Sequence, residues 1–152
     1  MKLSRYLSVL PVFFIALPAL ADNPMAGSWT VVEATVAPWV DAKAAKPELN
    51  SNISGAKFVF TTEGVQGPAP LGFAKAKFTV STVVPEGLFQ GGLKNPAKEA
   101  TALGFKDSKI TSVNATCLRT DADVEMDYAL VDPSTALFGL DNVVYKMKRV
   151  GQ

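Results

Sequence analysis

The chain of 152 residues carries 15 basic and 14 acidic side chains, for a formal net charge of +1. This near-neutral balance gives no electrostatic reason to expect nucleic acid or an anionic membrane surface as a partner. The sequence has no histidine and a single cysteine, Cys117. It therefore lacks the usual general base at neutral pH, most routes to a zinc or copper site, and any disulfide within the chain.

The first 21 residues have the pattern of an export signal. Lys2 and Arg5 give a positive start, an apolar core occupies 7–20, and the Ala-Leu-Ala sequence at 19–21 is a cleavage site. The apolar core is too short to expect a membrane span. We therefore expect a cleaved signal, a single mature domain at 22–152 and a periplasmic or secreted location.

Strand patterns occupy most of the mature chain. Gly27 and Trp29 open the first strand, which runs to about Val36, and Glu33 interrupts its alternation in a way that is compatible with a β-bulge. A long connection, helical in part, follows at 37–55. Period-two alternation or short runs of β-forming residues between turns predict seven further strands, at 57–61, 65–66, 74–81, 109–117, 124–130, 136–140 and 143–149.

The connection between the fourth and fifth strands contains a short helix. A glycine-rich stretch with Leu88 and Phe89 comes first. Asn95 as N-cap, a proline at the first helical position and Gly104 as the stop then predict a helix over 96–103.

Short turns join the strands of the second half, among them a two-residue hairpin connection at Asp141-Asn142. Evenly sized strands joined in this way favour an all-β fold, either an antiparallel barrel or a sandwich. The sequence thus contains eight predicted strands, with one or two short helices in the connections.

The two ends of the mature chain carry a family resemblance. The Gly27-x-Trp29 motif on the first strand, together with Arg149 on the last, resembles the lipocalin or calycin superfamily of β-barrels. The resemblance implies that Trp29 closes the barrel floor and that Arg149 packs over it. It also implies that residues 37–55 form a loop that partly covers the open end. With the strand count, the resemblance predicts an all-β, eight-stranded antiparallel up-and-down barrel with one or two short helices in the connections.

No pattern points to catalysis or to a metal site. A nucleophilic Cys117 would need an activating base, and the sequence has no histidine to supply one. The acidic side chains near the sixth strand alternate with core positions, so they spread along a face instead of wrapping an ion; they are Asp121, Asp123, Glu125 and Asp127. We expect neither an enzyme nor a metal or cofactor.

The expected function is that of a non-catalytic exported binding protein. It would hold a small apolar ligand in the barrel or engage a protein partner through loops at one barrel end. A structural or envelope-maintenance protein with a filled barrel, and a periplasmic enzyme inhibitor, are the alternatives. The candidate contact residues are large apolar side chains, either inward-facing or in loops: Trp39, Phe58, Phe60, Phe78, Leu88, Phe89 and Tyr128.

Overall fold

The computed structural model describes residues 23–151 with the exception of 42, 45 and 118–123. The expected export signal at 1–21 lies outside the described residues, as do Asp121 and Asp123. The described chain is all-β, with eight antiparallel strands in a nearly closed barrel and only two short helical segments in the connections. The fold class predicted from the sequence is confirmed.

The observed strands differ from the predicted ones by at most two residues at their ends. The connection at 37–55, which was predicted to be helical in part, forms turns and no helix among its described residues. The strands are β1 (Gly27–Val36), β2 (Lys57–Phe60), β3 (Val65–Gln66), β4 (Ala76–Val83), β5 (Ile110–Cys117), β6 (Val124–Asp132), β7 (Thr135–Leu140) and β8 (Val143–Arg149). A 3-10 segment, Pro85–Gly91, and a helix, α1 (Pro96–Ala102), lie between β4 and β5.

The strand order in the sheet is β3-β2-β1-β8-β7-β6-β5-β4. The first and last strands are therefore neighbours, and their register places Trp29 opposite Arg149. A register shift between Val31 and Glu33 marks a β-bulge, at the position where the sequence alternation breaks.

The remaining gap, between β3 and β4, is bridged over a short length. The backbone N–H groups of Phe73 and Val65 each donate to the other residue's carbonyl, at 2.7 and 2.8 Å. The Ala76 N–H donates to the Glu63 carbonyl at 2.7 Å. Beyond this point β4 pairs only with β5 among the described strands, which leaves the barrel nearly closed.

Apolar side chains pack on both sides of the barrel wall. The cluster inside is rich in aromatic rings, including Trp29, Phe58, Phe60, Tyr128, Phe138 and Tyr145. The cluster outside forms where the connection at 84–109 packs against outward-facing residues of β5 to β8; it includes Leu88, Leu93, Phe105, Ala129, Leu137 and Val144. The 84–109 connection therefore adds a second layer to one part of the wall.

Helix α1 begins and ends close to its predicted bounds, but its N-terminus is held differently from the prediction. The Asn95 side chain makes no capping hydrogen bond. Instead, a carboxylate oxygen of Glu99 accepts a hydrogen bond from the Asn95 backbone N–H at 3.2 Å. This contact resembles one half of a capping box, but the glutamate lies one position further along the helix. Gly104, with φ of +102°, ends the helix as predicted. No helix in the described part of the chain is long and apolar enough to cross a membrane.

Candidate functional site

One end of the barrel, the floor end, is closed around Trp29. The indole is fully buried and its Nε1–H donates to the Met25 carbonyl at 2.7 Å. The guanidinium carbon of Arg149 lies 4.3 Å from the centre of the indole ring, within the range of a cation–π contact. The contact expected between the two ends of the chain is therefore present.

Arg149 also ties three backbone segments together. Its Nε–H donates to the Pro133 carbonyl at 3.0 Å, and its terminal nitrogens donate to the carbonyls of Ala26 and Pro24. The N-terminal residues, the β6–β7 turn and the last strand thus meet at one side chain. These contacts give Trp29 and Arg149 a role in closing the barrel.

The candidate residues inside the barrel are packed against one another. The Tyr128 ring lies 5.0 Å from Phe60 and 5.7 Å from Phe138, in edge-to-face arrangements. Phe138 in turn stacks on Tyr145 at 5.0 Å and lies 6.2 Å from Phe58. These are ordinary distances for packed aromatic pairs, so the rings interdigitate across the middle of the barrel.

Phe78 lies at the margin of this aromatic group. Its ring centre is 6.4 Å from that of Phe60, and its side chain is half-buried. It sits on β4, next to the partly bridged gap. Phe78 therefore lies at the edge of the inner cluster, beside the gap between β3 and β4.

The hydroxyl of Tyr128 is an unusual feature of the interior. It is fully buried and has no hydrogen-bond partner among the described residues. Burial without a compensating partner disfavours the phenolate and raises the pKa of Tyr128. Tyr128 therefore packs as part of the aromatic core, and its hydroxyl makes no hydrogen bond to the described residues around it.

The opposite end, called here the hairpin end after the Asp141-Asn142 turn, is covered by the connection at 37–55. Ile53 is fully buried in the inner cluster. The Asn50 backbone N–H donates to the Tyr145 hydroxyl at 3.3 Å. The long first connection therefore covers the hairpin end.

An open cleft of about 350 Å³ lies beside the hairpin end. Its apolar side is formed by Trp39 and Phe89, whose ring centres are 5.3 Å apart at an interplanar angle of 40°. The Trp39 Nε1–H donates to the Asn142 side-chain oxygen at 3.0 Å. Two residues that are distant in the sequence are thus brought together, and the hairpin turn fixes the orientation of the indole.

The backbone around Phe89 is held in an uncommon conformation. Phe89 and Gln90 have φ of +49° and +58°, in the left-handed region that bulky side chains rarely adopt. Gly139 on β7 makes room for the pair, because a Cβ there would lie 3.1 Å from the Phe89 ring and 3.4 Å from the Trp39 ring. Packing against the barrel wall therefore holds the strained segment in place.

The other side of the cleft is polar and includes the side chains of Glu125, Asp127 and Asp141. One oxygen of Asp127 accepts a hydrogen bond from the Asn114 side-chain amide at 2.9 Å. The cleft therefore presents an aromatic wall beside carboxylates.

Leu88 lies in a different place from the one expected. The sequence placed it among the candidate residues for contact with a ligand or a protein partner. It is instead buried against the outer face of the wall, over Ala129 and Leu137. The reason is that the 84–109 connection runs along the outside of the barrel, so Leu88 points to the wall and Phe89 to the cleft.

The described residues contain no group of three or more His, Cys, Asp or Glu side chains that could hold a metal ion. Cys117 is free and buried on β5. Sequence reasoning missed the pairing of Trp39 with Phe89; the only signal for it was that both are large aromatic residues in turn-rich connections.

Comparison with known proteins gives no relative for this chain. No protein-family model matches it, and neither the curated proteins nor the solved structures include a match.

Proposed function

We propose that this chain is a non-catalytic exported binding protein that engages a protein partner through the cleft formed by Trp39 and Phe89. The observation that carries the proposal is the contrast between the two candidate sites. The inward-facing aromatic side chains are packed against one another, whereas the Trp39–Phe89 cleft is open to solvent. An occupant of the cleft would bind outside the barrel.

The strained backbone at Phe89 supports the proposal. Non-glycine residues held in the left-handed region cost of the order of 1–3 kcal/mol each and cluster at binding and catalytic sites. Here the strain turns Phe89 onto Trp39. A rigid, pre-arranged aromatic pair is the kind of anchor that dominates protein–protein interfaces.

The proposed role outside the cell or in the periplasm rests on the export-signal pattern of residues 1–21, and the proposed non-catalytic role rests on the lack of histidine. A relationship to the lipocalin or calycin superfamily belongs to the same proposal. The up-and-down strand order and the Arg149–Trp29 contact support it.

The experiment is affinity capture from the compartment to which the protein is exported, comparing the wild-type chain with Trp39→Ala and Phe89→Ala. Leu49→Ala is the matched control, because Leu49 is a large exposed apolar side chain of the same connection as Trp39 and does not line the cleft. We expect both aromatic variants to lose the captured protein and the control to retain it. Equal capture by all four chains would refute the proposal.

A further inference from the structure

Strand β4 has an unpaired edge. It ends the sheet order, and its neighbour across the gap, β3, is only two residues long. Every one of its eight residues is exposed or half-buried, whereas β5 beside it has five buried residues. Val80 is 49% exposed although Val113, its partner on β5, is fully buried. The edge of β4 that faces away from β5 is therefore unpaired beyond Ala76 among the described residues.

The hydrogen bond from the Ala76 N–H to the Glu63 carbonyl shows which backbone groups face the gap. In an antiparallel pair, alternate residues direct both their N–H and their C=O to the same side. Phe78, Val80 and Thr82 therefore direct theirs away from β5, as Ala76 does. Among the described residues these groups have no hydrogen-bond partner.

We propose that this edge pairs with the β4 edge of a second copy of the same chain, antiparallel and centred on Val80. In that register, Val80 lies opposite the partner's Val80, and Phe78 lies opposite the partner's Thr82. The backbone N–H and C=O groups of Phe78, Val80 and Thr82, which point away from β5, are then all paired. The pairing gives about six backbone hydrogen bonds.

The side chains fit this register. Lys77 is the only charged residue from 77 to 83, and it falls opposite the partner's Val83, so no like charges face each other across the pair. Thr79 falls opposite the partner's Ser81. A long free edge whose centre carries no charge lacks the usual protection against strand pairing.

The proposed pairing also limits the assembly to two copies. A two-fold contact uses the β4 edge of both copies, and the other end of the sheet, β3, is already bridged to Phe73. Pro85, two residues after β4, prevents further extension of the strand because it has no N–H to donate. The expected product is a dimer and not a fibre. This surface is separate from the Trp39–Phe89 cleft, so the inference does not depend on the proposed function.

The first test is sedimentation equilibrium on the protein recovered after export, from micromolar to millimolar concentration. We expect a monomer–dimer equilibrium for the wild-type chain and its loss in Val80→Lys, which places two like charges at the centre of the pair. Val32→Lys is the control, because Val32 is a similarly exposed valine on β1, and this variant should dimerise as wild type. A wild-type monomer at every concentration, a larger assembly, or a dimer that survives Val80→Lys would each overturn the proposal.

Amide hydrogen exchange gives a second readout that separates pairing from folding. In the wild-type dimer the amides of Phe78, Val80 and Thr82 should exchange slowly. In Val80→Lys they should exchange fast, while those of Thr79 and Ser81, which face β5, stay protected. Fast exchange at Phe78, Val80 and Thr82 in a wild-type dimer would place the interface elsewhere and refute the inference.

Discussion

The Arg149 side chain joins the N-terminal segment, the β6–β7 turn and the last strand at one point. Its guanidinium lies over the Trp29 ring and donates to carbonyls of the N-terminal segment and of the β6–β7 turn. Planar geometry and several fixed donors suit arginine to such a position, and lysine offers neither. The side chain therefore closes the floor end through both ring contact and hydrogen bonds.

Replacing Arg149 by alanine should lower the free energy of unfolding by about 2 kcal/mol, because the cation–π contact and the hydrogen bonds to three carbonyls are lost together. Arg149→Lys keeps the charge but not the planar set of donors, so its free energy of unfolding should lie between those of the wild type and Arg149→Ala. Denaturant unfolding followed by tryptophan fluorescence measures the difference. An Arg149→Ala chain as stable as wild type would mean that these contacts do not hold the ends of the chain together.

The Tyr128 hydroxyl leads to a prediction about pH. Burial raises the pKa of Tyr128, so the folded state favours the neutral phenol more than the unfolded state does. The resulting stability is fully present below the ordinary tyrosine pKa of about 10 and decreases as the pH rises above it.

Tyr128→Phe removes both the titrating group and the unpartnered hydroxyl. We expect this variant to be at least as stable as wild type at neutral pH and to lose less stability at alkaline pH. Denaturant unfolding at the two pH values provides the comparison. Equal alkaline losses in the two proteins would assign the effect to other groups.

The connection at 84–109 contains two short helical segments and no strand, and yet it covers a large part of the barrel wall. Its apolar residues, among them Leu88, Leu93 and Phe105, follow no single period. They are spaced by the turns of a 3-10 segment, a loop and a short helix. Each reaches the same outer surface, which would otherwise expose Ala129 and Leu137.

Leu88→Ala should destabilise the protein by about 2 kcal/mol, near the lower end for leucine truncation, because Leu88 borders a cavity of about 100 Å³ and therefore has fewer packed neighbours to lose. Glu86→Ala, an exposed change in the same segment, should have little effect. Thermal or denaturant unfolding measures both. Equal stabilities of the two variants would indicate that the segment is not held against the barrel wall.

The same connection shows where prediction from the sequence succeeds and where it stops. Alternation identified β5, β6 and β8 to within two residues at their ends, because an apolar side chain recurs at every second position over most of each strand. Leu88 and Phe89 were recognised as apolar loop residues, but no periodic pattern tells whether a loop packs inside or outside a barrel. The Trp39–Phe89 pair was missed for the same reason, since it depends on a tertiary contact between two connections.

Closing the sheet into a barrel pairs or bridges most of its strand edges. The pairing of β1 with β8 removes the edges at the two chain ends, and the Phe73 bridge covers β3. The sequence predicted the first closure through Trp29 and Arg149. It could not predict that β4 would extend past its neighbour, because strand stagger is set by the geometry of the closed sheet.

A protein that carries a ligand needs space inside the barrel, whereas a closed scaffold has a filled interior. A change at Phe138 tests most directly how tightly the interior is packed. Its ring contacts Phe58, Tyr128 and Tyr145, and its side chain is fully buried. Phe138→Ala should therefore cost about 3–5 kcal/mol, as expected for a phenylalanine removed from a tightly packed core.

Phe89→Ala is the matched control for Phe138→Ala, because the Phe89 ring lies outside the barrel on one side of an open cleft and loses fewer contacts. Denaturant unfolding of the two variants gives the comparison. A cost for Phe138→Ala no larger than that for Phe89→Ala would mean that the barrel interior is loosely packed. In that case the interior would have room for a small apolar ligand, and the case for a partner bound outside the barrel would lose its main support.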